Sequence, residues 1–413
     1  MLANFNFEKC VRFLLFFFLS LYVLNAVGNM DVFCSVYGKR RYTNCLWVLL
    51  SLYFLVSGGR ISWRFLWEEG WFLVPLAFVY IFLYFYHNGH INLSYIKYGF
   101  LVLLSVSAVH DLKFLNLKTL FITNSISCVF IFLASIYQIE WLKYQVPNGD
   151  INQNIFALMA LMIGNVSIFS SLYKEFSRSY RIVFFFAGVL SVWVALRTSC
   201  RTAYFSELFL IALYLYFTVQ QFNLSLKKSF LFFLLCCSFL VAVIFTSPSI
   251  TVDKFNLISK EIHGFFALDA GETTNTSIGL RLAMWKTALF EFFPRYPFFG
   301  IGDVFQLNWK ELPIVTNMDP KFAVNLCHFH NEAINVLVTG GGVLLLTCLW
   351  VLCKLFVSAK GDPILLCLLV GSVAYGVTEV SFYHVPYFIV FLTIWFLYRA
   401  AKKYSSVDSP CSY

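Results

Sequence analysis

FLLFFFLSLYVL, residues 13–24, carries no charge and shows no alternation of apolar and polar side chains. A strand of a membrane barrel alternates over roughly ten residues, one face to lipid and the next to the lumen. This run does not, so it reads as helix. A bilayer core of about 30 Å takes roughly 20 apolar residues in a helix. Runs of the same kind recur outward along the chain near residues 11–27, 43–57, 71–87, 96–109, 119–137, 154–171, 182–196, 203–219, 229–246, 334–356, 363–377 and 381–398. The expected fold is therefore an all-α integral membrane protein with about twelve transmembrane helices. The second, fourth, seventh and eleventh runs are short, and span only if flanking residues snorkel. The first run lacks a small-residue cleavage site and is followed by further spans, so it reads as a membrane helix and not as a signal peptide.

Composition agrees. Of 413 residues, 60% are hydrophobic, 20% aromatic and 12% charged. A soluble domain carries roughly 25% charged residues. An ordinary soluble enzyme, a disordered chain and a nucleic-acid binder are excluded. The net charge of +9 is spread between apolar runs, so it reads as topology. With both termini cytoplasmic, the cytoplasmic segments hold more than half of the 30 Lys and Arg, among them Arg64, Lys118, Lys174, Arg178, Lys227, Lys360, Arg399, Lys402 and Lys403. The short loops opposite hold Lys39, Arg40, Arg41, Lys97, Lys143, Arg197 and Arg201. The excess of cytoplasmic cations favours this orientation; the cluster Lys39-Arg40-Arg41 opposes it. The chain then divides into nine helices over 1–246, a large loop on the trans side over 247–333, three helices over 334–398 and a cytoplasmic tail over 399–413.

A loop this long inside a compact protein is usually functional. It is polar at SPSITVDKFN (247–256) and LDAGETTNTS (268–277). Within it, RLAMWKTALFEFF (281–293) reads as an amphipathic helix with Leu282, Trp285, Leu289 and Phe292 on its apolar face, ended by Pro294 and Pro297.

Few residues carry chemistry. HFHNE (328–332) lacks the H-E-x-x-H spacing that sets two histidines on one helical face. There is no Cys-x-x-Cys pair, P-loop or dinucleotide-binding glycine fingerprint. The glycines at 340–342 read as a close helix–helix contact and not as a phosphate cradle. Most of the 12 cysteines fall in spans. Cys200 and Cys327 would both lie on the trans side, where an oxidising compartment permits a disulfide. What remains is a set of costly side chains at the trans surface: Arg201 in RTSCRTAYF, Arg281 in SIGLRLAMW and His330 in CHFHNEAIN. A charge near hydrocarbon is expensive. Guanidinium groups bind phosphate bidentately and stay charged, and an imidazole can accept a proton near neutral pH. Each also has an ordinary reading, as interface anchor, face of a soluble helix or satisfied polar residue. Arg197 has the better case as an anchor. Glu379 is either a loop carboxylate or a group that orients a catalytic residue.

Three segments resemble the O-antigen ligase family, within the wider O-antigen ligase and polymerase superfamily. SCRTAYFSELFL (199–210) is similar to its arginine-bearing helix start. TTNTSIGLRLAMWKTALFEFFPRYPFFGIG (273–302) is similar to its loop segment. LCHFHNEAINVLVTGGGVLLL (326–346) is similar to its His-Asn segment. PNGDINQNIFALMA (147–160) also resembles the polar start of the family's sixth span. The resemblance implies a GT-C-like glycosyltransferase of the Gram-negative inner membrane with its active site facing the periplasm. It implies a glycan donor on undecaprenyl diphosphate, lipid A-core as acceptor, and neither a nucleotide sugar, a cofactor nor a metal. Carried over, Arg201 and Arg281 hold the diphosphate and His330 acts as base on the acceptor hydroxyl or positions it. Arg197 is the alternative to Arg201, and His328 the alternative to His330 or its neighbour in support. Asn331, Glu332 and Trp285 join as orienting or packing residues; Glu332 either bonds a catalytic group or stabilises the helix start. G-L-R-L-A-M-W and H-F-H-N-E are closer to ligases than to the polymerases that extend one lipid-linked glycan with another. A lipid-linked-glycan transporter is the expectation from a different class. It calls for inverted repeats or helices broken by Gly or Pro near mid-membrane, and neither is evident in the sequence.

Overall fold

A computed structural model describes residues 62–110, 115–141, 153–198, 200–223, 277–303 and 329–407, with shorter pieces at 8, 11–16, 48–53, 57, 234 and 238. The helices are α1 Trp63–Gly70, α2 Leu73–Tyr86, α3 Ser94–Val109, α4 Leu117–Glu140, α5 Gln153–Ser170, α6 Arg178–Arg197, α7 Arg201–Phe222, α8 Ser277–Thr287, α9 Glu332–Ser358, α10 Pro363–Gly376 and α11 Val385–Val407. Their starts follow from the sequence. The Asn116 side chain accepts from Thr119 N at 2.9 Å to open α4. Asp362 caps α10, whose first residue is Pro363. Each cap satisfies amides that the first turn leaves without partners.

Among the described residues, α4, α5, α6, α7 and α9 are long and apolar enough to cross a membrane, and the pair α1–α2, bent by 73°, makes a sixth if taken as one span. No strand occurs among them. The protein is thus a multi-pass membrane protein of helices. The short run at 182–196 lies on a 20-residue helix, α6. The runs at 11–27, 43–57 and 229–246 lie largely outside the described residues. α11 continues past 398 into the stretch expected to be tail.

The core is built around α5. Every residue from Phe156 to Ser170 is buried, against α4, α6, α7 and α10. In a membrane, helices gain nothing by hiding apolar surface from lipid, so close backbone contact and hydrogen bonds hold them. Both are present. A Cβ on Gly188 would stand 2.5 Å from the Gly164 carbonyl oxygen, so α5 and α6 cross where only glycine fits. Ser125 and Ser167 pair at 2.8 Å, Ser191 donates to Ala160 O at 2.8 Å, and Asn124 donates to Ile163 O at 2.9 Å.

One expectation is corrected and a second is met only in part. The buried stripe of the loop helix is Leu280, Met284 and Ala288, whereas Leu289 is exposed. Leu280, Met284 and Ala288 follow one another at four-residue spacing up to the start of a π-turn at Ala288–Phe292, and of the expected stripe only Trp285 and Phe292 pack against them. Of the glycines at 340–342, Gly340 makes the expected helix–helix contact, a Cβ there standing 2.8 Å from Leu83 of α2, but Gly341 and Gly342 do not. α9 breaks at Gly341 (φ 65°, ψ −163°), and residues 297–302 of the loop dock into the break. Gly342 N donates to Pro297 O at 2.8 Å, Val343 N to Phe298 O at 3.1 Å, Ile301 N to Val338 O at 2.9 Å and Gly302 N to Thr339 O at 3.0 Å. A span interrupted by glycine therefore exists. Its freed backbone groups are taken up by the chain itself, as hydrocarbon surroundings demand.

Candidate functional site

At one end of the bundle the starts of α5, α7 and α9, the loop helix α8 and the loop between α10 and α11 converge on Glu379. Its side chain is 1% exposed. A buried carboxylate survives only with partners. Asn154 Nδ2 donates to Oε2 at 2.7 Å, and the Val380 amide donates to Oε1 at 3.2 Å. His330 Nδ1 lies 2.9 and 3.0 Å from the two oxygens, and Arg281 Nη2 lies 3.6 Å from Oε2. Glu379 therefore orients His330 and sits against one of the two candidate arginines.

His330 owes its place to its neighbours. Its φ is +49°, a left-handed conformation uncommon outside glycine. Phe329 before it is fully buried against Met284 and Ala288, and Trp285 Nε1 donates to Phe329 O at 2.7 Å. Asn331 after it opens α9, accepting from Ile334 N at 3.0 Å, while its Nδ2 donates to Val377 O at 2.7 Å. Glu332 Oε2 accepts from Ser381 N at 2.6 Å and Phe382 N at 3.0 Å. The carboxylate thus grips the loop that carries Glu379. Asn331 and Glu332 clamp that loop on either side of the His330–Glu379 contact, and Trp285 holds the backbone before His330 from the loop helix. Strain of this kind persists only where the surroundings over-determine it.

Arg201 and Arg281 line one cavity of about 370 Å³ with Thr202, Phe205, Leu282, Trp285 and Thr378. No carboxylate is among these lining residues. Thr378 Oγ1 donates to Thr202 Oγ1 at 3.0 Å and ties the Glu379 loop to the start of α7. Two guanidinium groups over an apolar floor suit a group with several anionic oxygens.

Arg197 does not line this cavity; its guanidinium stacks on Trp193, 5.6 Å from the ring centre. His328 and Cys327 lie outside the described residues. The Cys200 thiol is buried and pairs with the Tyr375 hydroxyl at 3.2 Å, which in turn donates to Asn154 O at 2.5 Å. Burial pushes this thiol up from its ordinary pKa. Asn154, Thr202 and Thr378 are the residues the sequence reading passed over. Asn154 stands inside PNGDINQN, a polar string directly before an apolar run, and that was the available signal.

The family model described as O-antigen ligase matches residues 186–349, about two fifths of the chain. The matched stretch includes Arg201, Arg281 and His330 and stops short of Glu379. No curated protein matches the chain.

Proposed function

We propose, from the match of residues 186–349 to the family model described as O-antigen ligase, that the protein is a ligase moving a glycan from undecaprenyl diphosphate to a sugar hydroxyl of lipid A-core at the periplasmic face of the inner membrane. One observation carries the reading. A cavity walled by two arginines adjoins, through Arg281 and Glu379, a histidine whose ring nitrogen is held by a buried carboxylate.

The chemistry divides between the two halves. Arg201 and Arg281 hold the diphosphate and stabilise the negative charge that grows as the C–O bond to the leaving group breaks. With its Nδ1–H on Glu379, the His330 ring presents Nε2 as its basic nitrogen. Nε2 takes the proton of the acceptor hydroxyl as that oxygen attacks the anomeric carbon. The new glycosidic bond forms, and the diphosphate leaves on its lipid carrier. Glu379 stabilises the resulting imidazolium, as a carboxylate does in other base–carboxylate pairs. No nucleotide sugar enters this scheme.

The test is complementation of a strain lacking its own ligase, read as the lipopolysaccharide ladder, with wild type and His330→Ala at matched membrane levels. Wild type is expected to restore the ladder. His330→Ala is expected to leave bare lipid A-core with carrier-linked glycan accumulating. Failure of wild type, together with restored chain extension in a polymerase-deficient strain, replaces ligase by polymerase.

A further inference from the structure

A second cavity, of about 330 Å³, lies on the other side of the 330–332 clamp, between α2, α3, α9, α10 and α11. Its walls are apolar, with Leu73, Leu352 and Phe391 among them. Its charge is the reverse of the arginine cavity. Asp303 and Glu332 line it, and among the described residues no lysine, arginine or histidine does. Both carboxylates are fixed, Glu332 by the Ser381 and Phe382 amides and Asp303 by the Tyr383 hydroxyl at 3.1 Å.

The wall from α9 is not purely apolar. Asn331, Asn335 and Thr339 line the groove at four-residue spacing, which stacks them on one face of the helix. Thr339 is more than nine-tenths buried, and its Oγ1 has no hydrogen-bond partner among the described residues. A buried hydroxyl without a partner costs free energy, and such a group in a native structure calls for an explanation. A ligand with hydroxyl groups supplies one.

We infer that this groove binds a single-chain lipid whose head is uncharged and bears hydroxyls, the chain lying on the apolar walls and the head on the Asn331–Asn335–Thr339 face beside Asp303. Charge decides the class of head. Among the described residues a phosphate would meet two carboxylates and no cation, and like charges in a site of low dielectric repel strongly. Size decides the single chain, since the volume sits at the low end of the roughly 300–1,000 Å³ typical of small-molecule sites. The inference does not depend on the proposed ligase activity, because binding is read without turnover.

The experiment uses the full chain in nanodiscs of neutral lipid. The probes are decyl maltoside and decyl phosphate, each with a diazirine at the end of the chain, and photolabelled peptides are mapped by mass spectrometry. The maltoside is expected to label the α9 stretch 344–352 and to be displaced by unlabelled decyl maltoside; the phosphate is expected to label it weakly. Thr339→Val keeps the shape and removes the hydroxyl. It is expected to weaken maltoside labelling by up to about tenfold, the scale of one hydrogen bond, and Thr339→Ser is expected to restore it. Asp303→Lys is expected to reverse the preference of the two heads. Equal labelling by both probes, or labelling unchanged in Thr339→Val, overturns the inference. Arg201→Ala, in the other cavity, is expected to leave the labelling as it is.

Discussion

Glu379 links the two halves of the candidate site, because its carboxylate touches His330, Arg281 and Asn154 at once. Glu379→Gln keeps the shape and removes the charge. It is expected to lower transfer by about 10²- to 10⁴-fold, the usual worth of assisted proton transfer, while binding of the donor changes much less. A KM that rises with an unchanged kcat would instead place Glu379 in donor binding. Asn154→Ala leaves a buried carboxylate short of a donor and is expected to lower both activity and thermal stability. Cys200 gives a prediction of a different kind. It stands at the start of α7, where a helix terminus favours thiolate, yet burial wins and holds the pKa up. Less thiolate at a given pH means slower alkylation. Cys200 is expected to resist N-ethylmaleimide in the folded protein at pH 8 and to react after denaturation in SDS, as followed by peptide mass spectrometry. Arg201 and His330 were legible as costly groups at span boundaries, and Arg281 as a charge on the loop helix. Their partnership with Glu379 was less so, since that contact joins positions 49 apart across a whole hairpin.

Among the elements, α9 departs furthest from its sequence. A 27-residue apolar helix with three central glycines reads as a smooth span with a thin waist. What fills the waist is residues 297–302, which the sequence assigns to a loop. Hydropathy does not record that the loop turns back, because the docking is through backbone groups and leaves no side-chain pattern. The break makes a sharp contrast between adjacent positions. A Cβ on Gly341 would lie 2.3 Å from the Phe298 carbonyl, at a φ of +65°. A Cβ on Gly342 would meet nothing closer than Pro297 O at 3.2 Å. Gly341→Ala is expected to cost about 2–4 kcal/mol, combining backbone strain and overpacking. Gly342→Ala is expected to cost less than about 1 kcal/mol, which helix propensity partly offsets. Melting temperatures of the two variants in detergent compare them directly; equal losses would mean that residues 297–302 do not dock as described. The loop helix shows the same limit. Its existence follows from periodicity, but the stripe it buries, Leu280, Met284 and Ala288, is chosen by what packs on it, and no residue type announces the π-turn that follows.

For the molecule as a whole, the two ends of the bundle differ in chemistry. One end holds the arginine cavity and the His330–Glu379 pair. The other is laced by Arg399 to Glu69 at 2.6 and 3.1 Å, Lys402 to Asp362 at 2.6 Å and Lys403 to Glu68 at 2.6 Å. The distribution of Lys and Arg along the chain predicts that this second end faces the cytoplasm. A fluorescent protein fused after the last residue is expected to fluoresce, and an alkaline phosphatase fused there to be inactive; the reverse pattern inverts the orientation. The helical membrane class was legible at this scale, because composition and run length suffice for it. The crossing of α5 and α6 at Gly164 and Gly188 was not, since glycines within apolar runs have no unique partner in one sequence.

The central place of α5 bears on how the protein is made. α5 emerges from the ribosome early, yet the groups that satisfy it come later: Glu207 for Asn165 at 2.7 Å, and Glu379, the latest of them, for Asn154. Until the α10–α11 hairpin is translated and inserted, α5 waits in the membrane with polar side chains uncovered, and a nascent chain holding both arginines and the histidine still lacks the carboxylate that joins them. Competence for the proposed transfer then waits on the hairpin that carries Glu379. A chain released early would be an inert fragment with exposed polar surface in the bilayer, suited to quality-control proteolysis before it could meet a substrate.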